Sequence, residues 1–312
     1  MKKSPRKPAS GESSRLKVLA AGSDDRAFLD YALTLLESGQ RIQRETALEA
    51  LVERPVAPAR PILRELYFAL SEDGLKRDQG GGQRSHIVRV LRSIGDTRDV
   101  DVALSACDTS EIAFGDDITR NLRALGLMML AELDADIFPY YAIEHLDDAD
   151  EERGSFEPAS TAFQLLAGTG NYVPIYQWLR TTGLESGALG AVFELFAGAP
   201  SGIVQRYIGE AIDVSVRRSD ERTCTLLAET VVRMELADAY PALERVMAAK
   251  ISDELYRYMA LLLASTNRRG LLEILELQLR RGRRPKMILE ALRVRPTAEQ
   301  QAMIERWERG DE

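Results

Sequence analysis

The sequence predicts an all-α fold made of helical hairpins that repeat along the chain. Three observations predict it. Apolar residues recur at i, i+3, i+4 and i+7 in segment after segment, as in LDYALTLLESG, ILRELYFAL, TLLAETVVRME and LYRYMALLLAS. Long alternating runs of β-branched residues, the mark of strands, do not occur. The helical segments also come in pairs at a constant offset: nine residues beyond an apolar residue near the end of one segment lies the start of the next.

Taken in order, that step joins Leu19 to Phe28, Val52 to Pro61, Leu91 to Val100, Leu130 to Pro139 and Leu165 to Pro174. It continues from Leu195 to Val204, Val232 to Pro241, Leu262 to Leu271 and Leu292 to Gln301. Successive first members are 30 to 39 residues apart. A constant step inside a period of that length points to a solenoid of about eight hairpins. Pro61, Pro139, Pro174 and Pro241 mark the starts of second helices. In a first turn the backbone N–H has no intrahelical partner to lose, and the fixed φ of proline suits the helix. At the end of the chain, PTAEQ at 296–300 supplies a capping box, with Thr297 as N-cap and Gln300 reaching back. The helix it starts is polar on much of its surface, as the last unit of a repeat array must be.

Residues 1–15, MKKSPRKPASGESSR, are polar and carry no apolar period, so a basic tail without structure is expected before a single domain over 16–312. The net charge of −8 is unevenly spread. Acids dominate from Asp96 to Glu157, including DDADEE at 147–152, and bases dominate from Arg268 to Arg295, including RRGRRPK at 280–286. No apolar run approaches the ~20 residues needed to span a membrane, and no apolar segment follows the basic start as a secretory signal would require. With two cysteines and no N-x-S/T sequon, a reducing, cytoplasmic setting is expected.

Units such as LMMLAELDADIFPYYAIEHLDD and AFQLLAGTGNYVPIYQWLRTT resemble the HEAT-repeat family, including its short bacterial HEAT-like members. They share an apolar first helix, a small or acidic turn, a proline start and an apolar second helix. Arg44, Arg84 and Arg123 stand seven or eight residues before Val52, Leu91 and Leu130, where HEAT repeats often carry an arginine. Later units depart from this pattern, with Pro158, Ala188, Thr225 and Leu255 in that place. The resemblance covers roughly 16–309 and implies a right-handed, armadillo-like α–α superhelix.

The stretch KRDQGGGQRSH at 76–86 is not a phosphate-binding loop of the Walker type, because no strand precedes it and no Lys-Ser/Thr follows. It reads as an inter-repeat loop; the other reading is a loop that folds over a partner, or a helix start where Arg84 and Ser85 hold an anion. His86 and His145 lack ligand spacing, Cys107 and Cys224 lack a C-x-x-C partner, and no nucleophile elbow or HExxH occurs. Asp116 and Asp117 read as the acidic opening of a helix. No metal or cofactor is expected.

Two surfaces are candidates for a partner. Tyr140 and Tyr141 are adjacent and must point different ways, as must pairs within NYVPIYQW of the next unit, where Tyr176 and Arg180 are further candidates. One or two of these tyrosines are candidate interface anchors. Arg280, Arg281, Arg283, Arg284 and Lys286 either serve helix ends or contact phosphates or an acidic protein. The expected function is a non-catalytic scaffold for another protein. The alternative is nucleic-acid binding, as in bacterial HEAT-like DNA glycosylases, and a weaker one is a lyase or chaperone-like helper of a cofactor-bearing protein. The basic segments at both ends motivate the first of these and the acidic middle opposes it; the second rests on likeness of fold alone.

Overall fold

The computed structural model describes residues 10–22, 24–38, 40–148, 156–182 and 188–310, with backbone alone at 10, 12 and 13. Among them the fold is all-α apart from one small hairpin. The contacts divide the chain into two compact units, Met1–Leu166 and Ala167–Glu312.

The first unit contains α1 (Ser10–Ala21), α2 (Asp25–Glu37), α3 (Arg41–Glu53), α4 (Arg60–Ser71), the single-turn α5 (Gly74–Arg77), α6 (Gly82–Ile94) and α7 (Val100–Cys107). The strands β1 (Ile112–Ala113) and β2 (Asp116–Asp117) follow, then α8 (Arg120–Leu133) and α9 (Phe138–Glu144). Helix α10 (Ala159–Gly168) spans the boundary between units. The second unit holds α11 (Tyr172–Thr181), α12 (Leu189–Phe196), α13 (Ser201–Arg218), α14 (Glu221–Arg233) and α15 (Tyr240–Ala248). It ends with α16 (Asp253–Ser265), α17 (Arg269–Arg280), α18 (Pro285–Arg293) and α19 (Ala298–Arg309).

Every nine-residue step read from the sequence starts in one helix and lands in the next, from α1 into α2 through to α18 into α19. Pro61, Pro139 and Pro241 occupy the first turns of α4, α9 and α15. Helix starts are closed by side chains where the sequence offers them. Asp24 accepts from Arg26 and Ala27, Asp220 from Thr223, and Ser252 from Leu255. The Thr297–Gln300 capping box forms as the sequence predicts. Each such cap is worth about 1 kcal/mol.

In the first unit α1 packs on α3, α3 on α6 and α6 on α8, while α2, α4 and α7 each pack on the following first helix. In the second, α12, α14, α16 and α18 contact in succession, and so do α13, α15, α17 and α19. The apolar positions close between them; Leu48, Leu51, Leu63, Leu91, Leu227, Leu243, Leu263 and Leu275 are fully buried. Each contributes about 1.5–3 kcal/mol by leaving water. Helices α7 and α8 approach closely because residue 126 has no side chain: a Cβ there would lie 2.7 Å from the Cys107 nitrogen.

Two features depart from the sequence reading. Asp116 and Asp117 do not open a helix; they form β2, paired Ala113 to Asp116 and Ile112 to Asp117. The two-residue connection Phe114–Gly115 has φ of 56° and 78°, the left-handed geometry that tight hairpins demand. Two-residue strands are too short to register as an alternating pattern. Second, α1 begins at Ser10, inside the stretch 1–15 read as a tail; residues 1–9 lie outside the described residues. Most of the DDADEE run, from Ala149 onward, lies outside them too.

Candidate functional site

The glycine stretch answers its own question. Gly80 and Gly81 adopt φ of 80° and 67°, which brings Asp78 back under the start of α6. The Asp78 carboxylate, fully buried, accepts from the backbone N–H of Gln83 at 2.9 Å and of Arg84 at 3.0 Å. It also accepts from Arg84 Nε at 3.1 Å. The anion seat at this helix start exists, and the chain fills it with its own carboxylate.

Arg84, 1% exposed, also donates from Nη2 to Glu111 Oε1 at 2.6 Å. That approach depends on Gly74, where a Cβ would lie 1.8 Å from the same oxygen. The other oxygen of Glu111 is buried without a hydrogen-bond partner. Of the two remaining first-helix arginines, Arg123 is buried and Arg44 half-buried. Arg44 donates to Gln83 Oε1 at 3.0 Å, 39 residues further on. Arg123 donates to the Thr109 carbonyl at 3.1 Å and to the Asp117 carboxylate, and faces Asp148 at 3.6 Å. His145 Nδ1 meets Asp148 Oδ2 at 2.7 Å. Burial pushes the Asp117 carboxyl up, but the Thr119 N–H, Arg123 and the Thr119 hydroxyl outweigh it and hold the group below the usual carboxylate range. Most of these charges are buried or half-buried in contact with a partner, so the network reads as architecture and not as a reactive centre. Burial likewise pushes the Cys107 and Cys224 thiols up to about 12 and about 11, the opposite of what a nucleophilic cysteine needs.

Several exposed apolar residues of the first unit lie nearby in sequence, besides Val18, Ile42, Phe68 and Leu75 elsewhere in it. Along α9 and its cap, Ile137, Tyr140 and Ile143 follow at three-residue spacing and are 38%, 72% and 47% exposed. Residues so spaced share a helix face. Tyr141 turns the other way and is half-buried; partial burial, then Asp108 and Glu144, push its phenol up. At the hairpin turn Phe114 is fully exposed in the left-handed region. A bulky side chain in that conformation is strained by about 1–3 kcal/mol.

In the second unit Tyr176 belongs to an aromatic cluster. Its ring stacks on Phe196 at 5.8 Å and meets Tyr207 edge-on at 6.4 Å. Its hydroxyl accepts from Arg180 Nη1 at 3.0 Å, and Arg180 pairs with Glu210 at 2.9 Å. The basic run is largely engaged within the fold. Arg280 pairs with Glu276 at 2.9 Å and Arg281 with Glu244 at 3.0 Å. Arg283 donates to the Ala248 carbonyl. Arg284 donates to the carbonyls of Ile251 at 2.7 Å and Ser252 at 3.1 Å, pairs with Asp253 at 3.2 Å, and lies 4.8 Å over the Tyr256 ring. Lys286 is exposed.

The structure thus brings together Tyr176 with Arg180, and separates Tyr140 from Tyr141. Asp78, Glu111 and Phe114 escaped the sequence reading. Among the described residues no group of three His, Cys, Asp or Glu side chains is arranged to hold a metal ion, and no helix is long and apolar enough to cross a membrane. Set against models of known protein families, curated proteins and solved structures, the chain matches none.

Proposed function

We propose that the chain is a HEAT-like α-solenoid of about eight hairpins that binds another protein without catalysing a reaction on it. The observation that carries this reading is the exposed apolar face of α9, Ile137–Tyr140–Ile143, with Tyr140 at 72% exposure. Large aromatic side chains in such a setting are the usual anchors of protein interfaces, and unpartnered apolar surface marks interaction sites. The repeat reading is supported by side-chain bonds that reach one period along the chain, from Arg44 to Gln83 (39 residues), Arg92 to Glu132 (40) and Arg245 to Asp213 (32). The nucleic-acid reading gains nothing from RRGRRPK, because Arg281, Arg283 and Arg284 are engaged with acids and carbonyls of neighbouring helices.

The test begins with a photo-crosslinking phenylalanine placed at position 140, and as a control at Arg269, whose side chain is 84% exposed. A partner trapped only at 140 is then purified and titrated against the wild-type chain and Tyr140→Ser. A loss of about tenfold or more in affinity is expected for an anchor residue. Equal affinity for both chains would sink the assignment. Saturable binding of duplex DNA that weakens steeply with salt would replace it with the nucleic-acid reading.

A further inference from the structure

A cavity of about 420 Å³ opens between α17 and α19 in the second unit, lined by Glu276, Leu279, Arg280, Met303, Arg306 and Trp307. Its volume lies in the range of small-molecule sites, about 300–1,000 Å³. The floor is apolar: Leu279 and Met303 are buried at 2% and 4% exposure, and Trp307 is half-buried. The rim is charged and unbalanced. Arg280 Nη2 lies 2.9 Å and Arg306 Nη2 3.4 Å from the same oxygen, Glu276 Oε1. Among the described lining residues, two guanidiniums therefore share one carboxylate, an excess of one positive charge.

We propose that this cavity binds a small amphiphilic monoanion: a medium-chain aliphatic or single-ring aromatic body lying on Leu279, Met303 and Trp307, with its anionic group at Arg280 and Arg306. A guanidinium fork is well matched to a planar oxyanion. The charge excess selects against a cation, and the apolar floor gives a purely polar anion nothing to rest on. Glu276 acts as an internal competitor, holding both arginines in place while the cavity is empty. The site is independent of the α9 surface, and each can fail without the other.

Octanoate, 1-octanol and octylammonium are matched probes for this idea. Each is titrated into the full chain by calorimetry, with Trp307 emission as a second readout. Octanoate is expected to saturate and to bind about tenfold or more tighter than octanol, the margin of one charged hydrogen bond. Octylammonium is expected to bind more weakly than octanol. The double variant Arg280→Gln/Arg306→Gln, at two half-exposed positions on helix surfaces, is expected to bring octanoate down to the level of octanol. Glu276→Gln frees both guanidiniums and is expected to tighten octanoate severalfold. The proposal is overturned if octanoate does not saturate, if the three probes bind alike, or if the double variant, melting as the parent does, keeps full octanoate affinity.

Discussion

The two units face one packing problem, a row of helices that must lie side by side, and they place arginine differently in meeting it. In the first unit the first-helix arginines turn inward. Arg84 and Arg123 are 1% and 6% exposed, and each needs acids delivered to it. The α5 turn and glycine loop deliver Asp78, and the β1–β2 hairpin delivers Asp117. In the second unit Ala188, Thr225 and Leu255 occupy the corresponding places, and Thr225 merely bonds back to the Glu221 carbonyl at 2.9 Å. There the arginines lie outside, pairing across neighbouring helices as Arg233 with Glu194 and Arg245 with Asp213. The lesson is that a buried arginine requires extra chain. The irregular segments of the first unit are where its buried charges find their partners.

This contrast can be measured because both tryptophans, Trp178 and Trp307, belong to residues 167–312. Tryptophan emission reports the second unit, and far-ultraviolet dichroism reports both. The largest effect is expected for Arg84→Leu, which strands the buried Asp78 and the nearly buried Glu111. Removing one partner of a buried pair costs about 3–5 kcal/mol, so the urea transition seen by dichroism should fall while the emission transition holds. The surface counterpart Arg245→Leu should cost under about 1 kcal/mol. Equal losses for the two variants would break the comparison.

Next in size is Gly126→Ala. Its Cβ would press on the Cys107 nitrogen at 2.7 Å and the Ala103 carbonyl at 3.0 Å, both backbone atoms that move only with their helix. A loss of about 1–3 kcal/mol is expected, again confined to the dichroism signal. An unchanged midpoint would mean that α7 and α8 tolerate separation.

The second unit carries the opposite liability. Gln278 is fully buried in α17 with neither atom of its side-chain amide hydrogen-bonded. Gln278→Met keeps the volume and removes the unmet polar atoms, so the emission transition should rise by about 1 kcal/mol. A fall would reveal a partner for that amide.

The smallest effect is alkaline. Cys107 and Cys224 have thiol pKa values raised by burial from 9.0 to about 12 and about 11. Folding therefore favours the protonated thiols. The stability they contribute is complete below about 9 and is lost as pH rises from there toward the folded values. Neither thiol should react with a disulfide reagent at pH 8 in the native protein, and both should react in urea. Prompt reaction of either in the native state would place it outside the core.

Much of this was legible in the chain. The nine-residue step located every helix pair because it rests on burial repeated many times over, and Thr297 with Gln300 gave a cap because that interaction is local. What escaped depends on contacts remote in sequence. Nothing in DQGGGQ says that Asp78 folds back on the next helix, since that requires two left-handed glycines acting together. Glu111 meets Arg84 across 27 residues, with Gly74 making room from a third place. Phe114 drew no reading from the sequence; the Phe-Gly pair at a hairpin turn was the available signal. The basic run was visible as charge, but its pairing with Glu244 and with carbonyls near 248–252 was not.

Asp78 has one further consequence. It is a ligand tied to its own receptor, held a few residues from the amides it caps. Its effective concentration is on the millimolar scale or above, so dilute phosphate or sulfate in solution competes poorly for those amides. Being fully buried, the contact is also screened by counter-ions far less than an exposed pair is. Raising salt should therefore loosen Arg233–Glu194 and Arg245–Asp213 while the α6 start stays closed. The glycine loop keeps its shape without help from the medium.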